Sequence, residues 1–400
     1  MLTTDVVVAG GGIAGLLIAT ALESQFSVIL LEQSDALPRN KYWLTDAQAA
    51  RENPQIKKCV DTSYDFIDFV AFDGLTATIH GDYCLWDTDA LIELLSRHLI
   101  SKGVRVLTGH RLYTFRYGKT SISVRANSET IQARLLIDCM GFGSPIVGAK
   151  DVAKISGYYI VHGCEVAVTG KVRPIALDNV VVDRNPAFFE LFPTSKGTAH
   201  AAIILPSRSY KIDRSLQKEF TFIVKQSHYS ERIAWKDTPG IPYFGIVPVG
   251  RLHKPALDRM VFFGEAGQAN PAASATGLSR FLRVYRQVAH QLTECLNADQ
   301  LDSRHLLEAL PPYMTRMNRL FQETLFDSIL SYNSDQFRRL VEELKEYPDQ
   351  MVNDFLFAQY DFSNPRTLRM ALDALLSRQS ILGKNMIKAI ARLWRQQYLF

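Results

Sequence analysis

The sequence predicts an α/β fold: a Rossmann-like nucleotide-binding domain, an antiparallel β-sheet domain roofing it, and a helical C-terminal region. Three observations predict it. The β-branched run "DVVVA" (residues 5–9) enters a glycine turn and leaves as the helical stretch "LLIATALES". Alternating runs such as "GYYIVHGCEVAV", "NVVVD" and "AHAAIILP" crowd residues 155–250. Helical stretches punctuated at "ALPPYM", "EYPDQ" and "SNPRT" fill residues 300–400. A strand buried on both faces reads as a continuous apolar run, a half-buried strand as alternation, and a helix as a 3.6-residue period.

The opening element needs justification first, because Val6–Leu22 is an uncharged, largely apolar run that could pass for a membrane span or signal core. A signal peptide requires a basic leader, and "MLTTD" carries none. A span requires about twenty apolar residues, whereas this run breaks at Gly10-Gly11-Gly12 and stops at Glu23. The glycines instead fit G-x-G-x-x-G over Gly10-Gly11-Gly12-Ile13-Ala14-Gly15. In that motif Gly10 permits the strand-to-helix turn, Gly12 lets a diphosphate approach the backbone, and Gly15 seats the helix on the sheet. The helix start at Ile13 and Ala14 offers free N–H groups to the phosphates. The second strand, "FSVILLE", ends in Glu32, seventeen residues beyond Gly15, where an acid accepts hydrogen bonds from a ribose.

Two later segments select FAD over NAD and make this unit a Rossmann-like FAD-binding domain. "IQARLLIDCMGFGSP" (131–145) is an apolar strand ending in Asp138, followed by Gly141 and Gly143. "RMVFFGEAGQANPAASATGLSRFLRVYRQVAHQL" (259–292) carries a strand into Gly264, Glu265, Pro271 and Gly277 and then a helix. Backbone amides and Glu265 there can meet a ribityl chain and the second phosphate. No second G-x-G-x-x-G occurs, so a dedicated NAD(P)H domain is not expected, although NAD(P)H as an external electron donor is compatible.

The remaining elements follow in order. "DTDALIELLSRHLISKGVRVL" reads as a crossover helix into a strand, and "RLYTFRYGKTSISVRANSETIQARLLID" as a three-strand meander. Residues 1–54, 82–154 and 255–298 are therefore expected to form the discontinuous FAD domain, 55–81 and 155–254 the substrate roof, and 299–400 the helical region. The last helix, "SILGKNMIKAIARLWRQQYLF", spaces Lys384, Lys388, Arg392 and Arg395 along one face, with Ile387, Ile390 and Trp394 on another and Tyr398 and Phe400 beyond. Such a helix can lie against an anionic membrane, or pack its apolar stripe on its own protein.

Composition bounds the functional class. At 47% hydrophobic and 22% charged residues the chain is globular, and a formal charge of +4 gives no ground for nucleic-acid binding. Cys59, Cys84, Cys139, Cys164 and Cys295 are odd in number and contain no C-x-x-C pair, which argues against disulfides or structural zinc and for a reducing cytoplasm.

Over nearly its whole length the chain resembles the FAD-binding monooxygenase and reductase superfamily, and within it the lycopene cyclase family. The resemblance rests on "NKYWLTDAQ", "GYYIVHGCEVAV", "FGEAGQANPAASATG" and "RMNRLFQETLFDSILSYNSDQFRRLVEEL". It implies FAD and a hydrophobic or ring-forming small-molecule substrate. One departure matters. The family's paired-glutamate motif, Phe-Leu-Glu-Glu-Thr, corresponds to "FFELFPTSKGTAHAAIILPS", with Ala201-Ala202 where the acids would fall. Protonating an alkene needs a buried acid, so Glu190 or Asp46 would have to supply it from another side, with His200 a further proton donor or acceptor. His162 and Glu165 lie at odd spacing on one strand and cannot act as a pair. No metal-ligand or Ser-His-Asp spacing stands out. The expected function is an FAD-dependent oxidoreductase of secondary metabolism that dehydrogenates, reduces or oxygenates such a substrate. The alternatives are a redox-neutral cyclase or isomerase using reduced FAD on an isoprenoid, and a non-catalytic flavin-binding interaction protein.

Overall fold

The computed structural model describes residues 2–39, 41–149, 151–182, 185–234, 240–310, 316–359 and 380–397. The opening unit is β1 (Leu2–Ala9), α1 (Ile13–Leu22) and β2 (Val28–Leu31). Then come β3 (Tyr42–Asp46), α2 (Ala47–Arg51), β4 (Val60–Val70), β5 (Thr76–Asp87), α3 (Thr88–Ser101) and β6 (Arg105–Leu107). The meander β7 (Leu112–Tyr117), β8 (Ile122–Ala126) and β9 (Glu129–Asp138) leads through α4 (Pro145–Ala149) to β10 (Ala153–Val168), β11 (Ile175–Val182), β12 (Asn185–Pro193) and β13 (Thr198–Ser207). After α5 (Leu216–Gln226) and β14 (Ile233–Ala234) the chain forms β15 (Tyr243–Leu252), β16 (Ala256–Leu257), β17 (Met260–Phe262) and α6 (Gly277–Asn297). The described chain ends with α7 (Ser303–Ala309), α8 (Arg316–Ile329), α9 (Ser334–Glu346), α10 (Asp349–Leu356) and α11 (Ile381–Gln397).

Two sheets organise these elements. The first runs β16-β17-β9-β1-β2-β6, with the meander strands β8 and β7 added beside β9. Its central pairs are parallel, as the continuous apolar runs predict. Helices α1, α3 and α6 cover one face through Leu16, Leu17, Leu91, Leu95, Leu282 and Leu292. The meander packs against the other face through Leu112, Ile122 and Val124.

The second sheet runs β14-β10-β13-β12-β11-β4-β5-β3, with β15 beside β10. It is antiparallel except where β11 lies parallel to β4. It also reaches further into the sequence than expected. Tyr42–Asp46, placed by the sequence within the nucleotide-binding residues 1–54, pairs with β5 in the second sheet, and β5 itself continues to Asp87. The run "YWLTD" contains two aromatic residues and a β-branched Thr, a composition that suits an edge strand.

One face of the second sheet packs on α5 through Cys164, Phe189, Leu191, Ala201, Phe220 and Ile223. The other face is covered in part by α8, α9, α10 and α11, which meet Ile67, Phe69, Ile79 and Phe188. Helix α11 buries Met386 and Ala389 in this layer, and Arg392 pairs with Asp327 of α8 at 2.7 Å. Lys384, Ile387 and Lys388 remain exposed. Tyr398 and Phe400, and the side chains of Trp394 and Arg395, lie outside the described residues. Among the described residues no helix is long and apolar enough to cross a membrane. All five cysteines are buried and unpaired, and the described residues contain no cluster suited to a metal ion.

Candidate functional site

The glycine turn is fixed by close approach. Gly10 takes φ +109°, and a Cβ there would lie 2.4 Å from the Cys139 carbonyl oxygen. A Cβ on Gly15 would lie 1.9 Å from the Gly10 carbonyl oxygen. Gly12 differs: a Cβ would meet no protein atom within 4 Å. Its open side belongs to a crevice of about 300 Å³ at the head of the parallel strands, lined among others by Gly10, Gly12, Ile13, Ala14, Glu32 and Glu265. Gly12 also caps α1 with extended backbone, and the first turn of that helix carries no acid to compete for its N–H groups.

Glu32 closes one end of the crevice and is 9% exposed. Its carboxylate accepts from the Gly11 and Ser34 amides, each at 2.9 Å. A carboxylate has about four acceptor positions, so half remain for a ribose. At the other end Glu265 lies near Gly141, where a Cβ would stand 3.0 Å from its Oε2. Burial raises the Glu265 carboxyl above its ordinary value, while Lys41 and a hydrogen bond to Asn270 pull it back. Gly264 (φ +69°) lets the loop approach Ala14, since a Cβ there would come within 2.5 Å of the Ala14 Cβ. Gly277 begins α6 beside Asn270, and Pro271 is buried in the same loop. Behind Gly141 the Asp138 carboxylate accepts from Met140 N (3.0 Å) and Ser144 Oγ (2.5 Å). Burial holds it at about 6. An open glycine face, a helix start and a buried ribose-side carboxylate together fit an adenine dinucleotide.

The face of the second sheet turned away from α5 carries a different chemistry. Its register aligns Glu190 (β12), Ala202 (β13), Gly163 (β10) and Tyr243 (β15) in one cross-strand row. The next row is Phe192, His200 and Glu165. Ala202 and Gly163 are small, so the side chains of Glu190 and Tyr243 can converge above them. Any Cβ on Gly163 would stand 2.6 Å from the Tyr243 hydroxyl. Two rows along β10, about 13 Å at the usual rise, the Tyr159 hydroxyl donates to the Ala272 and Ala273 carbonyls at 3.0 and 2.9 Å. The face bearing Glu190 is therefore the one that meets the loop following Glu265.

This sheet also curls. His200 on β13 stacks on Tyr42 of β3, five strands away in the sheet order, a separation of roughly 24 Å if the sheet were flat. Lys41 and Trp43 line the crevice, while Tyr42 between them meets His200. This short segment thus touches both the crevice and the far face of the second sheet.

Burial pushes the Glu190 carboxyl up from 4.5 to about 8, although its side chain keeps some accessible surface. Both follow if it lines an internal hollow. The Tyr243 hydroxyl is raised by burial and then by the neighbouring Glu190. His200 is 4% exposed, and burial lowers it to about 3.

The structure thus brings Glu190 and His200 to one face. Asp46 stays apart, because it immediately precedes α2 and its carboxylate caps that helix, accepting from Ala49 N at 3.2 Å and pairing with Arg283 at 2.5 Å. His162 contacts Phe220 on the α5 side, opposite to Glu165. Sequence reasoning missed Tyr243, Lys41, His110 and Arg111. The last three line the crevice, and the signal for two of them was their place just beyond the third parallel strand, β6. Nothing local marks Tyr243, whose partner Gly163 is known only from the register.

A model of the lycopene cyclase protein family matches residues 5–372. No curated protein sequence matches the chain. Among solved structures, the backbone is similar to a geranylgeranyl bacteriochlorophyll reductase-like protein from Thermoplasma acidophilum, with TM-score 0.72 and 14% identity over 97% of this chain and 100% of that one. It is also similar to a variant of the halogenase PltM in complex with FAD (TM-score 0.67, 10% identity, 96% and 94% covered). A third is p-nitrophenol 4-monooxygenase PnpA from Pseudomonas putida (TM-score 0.63, 15% identity, 93% and 98% covered). At these identities the likeness establishes the fold alone, which this chain shares with that reductase-like protein, that halogenase and that monooxygenase.

Proposed function

The chain belongs to the lycopene cyclase protein family, and from that premise we propose that it is an FAD-dependent enzyme that protonates a carbon–carbon double bond in a hydrophobic, isoprenoid-like small molecule. The resulting cation closes a ring or shifts the double bond, with no net electron transfer. The observation that carries this reading is Glu190, a carboxyl that burial keeps protonated up to about pH 8, on the sheet face that meets the flavin-side loop. Alkenes are weak bases, so a proton donor for them must be held neutral and out of water. Phe188, Phe192, Val161 and Ile204 surround its row and exclude the water that would trap a carbocation. The Glu190 carboxylate left after proton transfer is then the nearest base to take a proton back.

The crevice residues Gly12, Ile13, Glu32 and Glu265 would hold FAD. When bound and reduced, FAD would supply an electron-rich ring beside positive charge, or a hydride. Net double-bond reduction, an oxidoreductase activity, is the second reading. It is favoured by Ala202, which faces the same hollow where a second acid would otherwise stand: adding one hydride and one proton needs a single acid.

The test is anaerobic turnover of an acyclic isoprenoid olefin by the FAD-loaded, pre-reduced protein. Ring-closed or isomerised product with flavin still reduced supports the first reading, and stoichiometric flavin oxidation with a saturated product supports the second. Replacing Glu190 by Gln should lower either turnover about 100-fold or more. Unaltered turnover in that variant removes Glu190 and both readings with it.

A further inference from the structure

Three cationic side chains line the crevice, Lys41, His110 and Arg111, and two of them are already engaged. The His110 amide donates to the Glu32 carbonyl at 2.7 Å, and its ring Nδ1 lies 2.7 Å from the Thr108 carbonyl oxygen. The Arg111 guanidinium lies over the Tyr113 ring, 5.8 Å from its centroid. Both residues belong to the Glu32 end, where a ribose would be held. Lys41 differs. Its side chain is half-buried, and its ammonium has neither a hydrogen bond nor an ion pair among the described residues. The packing of β3 places it at the opposite end. The Lys41 carbonyl accepts from the Thr88 hydroxyl at the start of α3, which fixes where β3 begins. From there β3 follows α6: Trp43 and Phe281 line the crevice together, and Asp46 pairs with Arg283 at 2.5 Å. Helix α6 starts at Gly277, where a Cβ would stand 3.2 Å from the Phe281 ring. Burial raises the carboxyl of Glu265, in the loop leading into α6, and Lys41 is the first of the groups that pull it back.

The ring system of oxidised flavin is uncharged. Two electrons from an external reductant, balanced by one proton, leave it with one negative charge. A cation in a crevice that excludes water meets such a charge with more energy than it would in bulk solvent. A group that favours one of two states shifts their equilibrium by that difference and no more. Resting on the reading of this crevice as the FAD site, we propose that Lys41 stabilises the negative charge of reduced FAD, raising the flavin potential and keeping the reduced ring anionic. The charged groups of the crevice divide accordingly: Lys41 and Glu265 at the flavin end, Glu32, His110 and Arg111 at the ribose end. A ring that is electron-rich and stays reduced is what turnover without net electron transfer requires.

The experiment is an anaerobic dithionite titration of the FAD-loaded wild type, Lys41→Met and Lys41→Arg against a reference dye. In Lys41→Met, reduced FAD should lose about tenfold in affinity relative to oxidised FAD, which is a potential lower by about 30 mV for a two-electron couple. The pH at which the reduced flavin takes up a second proton, followed by its absorbance, should rise by about one unit. Lys41→Arg, which keeps the charge, should retain most of both. An unchanged potential in Lys41→Met overturns the proposal, whether FAD binding is intact or weakened equally in both redox states, the mark of a contact to the diphosphate. The wild type gives a reading that needs no variant and stands even if Lys41→Met does not fold. Its potential should lie above that of free FAD, and a lower one overturns the proposal as well. Wild-type protein that takes up no FAD would show a different failure, that of the cofactor reading itself.

Discussion

At the scale of single residues, Glu190 and His200 are perturbed in opposite senses by one cause, removal from water. Desolvation disfavours whichever form is charged, so the carboxyl rises and the imidazole falls. The consequence for Glu190 is a defined pH dependence. The unfolded chain loses this proton near 4.5 and the folded chain only near 8, so between those values the native state holds the extra proton and stability declines as pH rises. Glu190→Gln should therefore gain stability over the wild type progressively from pH 4.5 to 8 and no further. Urea melts at pH 5, 7 and 9 check this, and a difference independent of pH would show that Glu190 is not desolvated. Turnover should be flat below about pH 8 and fall above it, since the protonated form acts. Glu190 was legible in the sequence as a candidate because it flanks the stretch where the paired-glutamate motif is replaced by Ala201-Ala202. That it stands opposite Ala202 was not, because register depends on the turn between strands and on which face is buried.

The strand–turn–helix at the amino end shows how one motif gives its glycines different duties. Gly15 is required by packing against the Gly10 carbonyl, whereas Gly12 is open to the crevice and has an ordinary negative φ of −72°. Two substitutions separate these duties. Gly15→Ala should destabilise the fold by about 1–3 kcal/mol through overpacking, measured as a lower melting temperature without cofactor. Gly12→Ala should leave that temperature unchanged and weaken FAD binding at least about tenfold, measured by flavin fluorescence titration. If Gly12→Ala bound FAD normally, the crevice would not be where the diphosphate lies. Here the sequence was fully informative, because the motif is local and its spacing is set by backbone geometry. Strand β3 was the opposite case. Its residues were read as part of the nucleotide-binding segment by proximity to Glu32, but its hydrogen bonds go to β5, and nothing local announces that partner.

At the scale of the whole molecule, the two sheets meet where Tyr159 bonds the 271–276 loop and where β3, beside the crevice, stacks Tyr42 on His200. Tyr159→Phe keeps the buried ring but leaves the Ala272 and Ala273 carbonyls without that donor. It should cost about 1 kcal/mol or more of stability, as for a buried hydrogen bond, while secondary structure by circular dichroism stays the same. No loss would mean that the sheets are held together elsewhere. The helical layer formed by α8, α9, α10 and α11 packs on the sheet face that carries Phe188 and Glu190. Within it, one residue of the expected basic face of the last helix is engaged by the protein itself, since Arg392 pairs with Asp327 at the surface.

The amino-acid sequence by itself determined the parallel nucleotide-binding unit, its glycine turn and the acid beyond the second strand, because each depends on residues within one βαβ span. It also determined that a strand-rich region and a helical tail follow. Only the tertiary structure decided that a curled sheet brings Tyr42, Glu165, Glu190, His200 and Tyr243 together, drawn from strands up to two hundred residues apart. Those contacts depend on strand order, register and curvature, which arise from long-range pairing and leave no periodic mark along the chain.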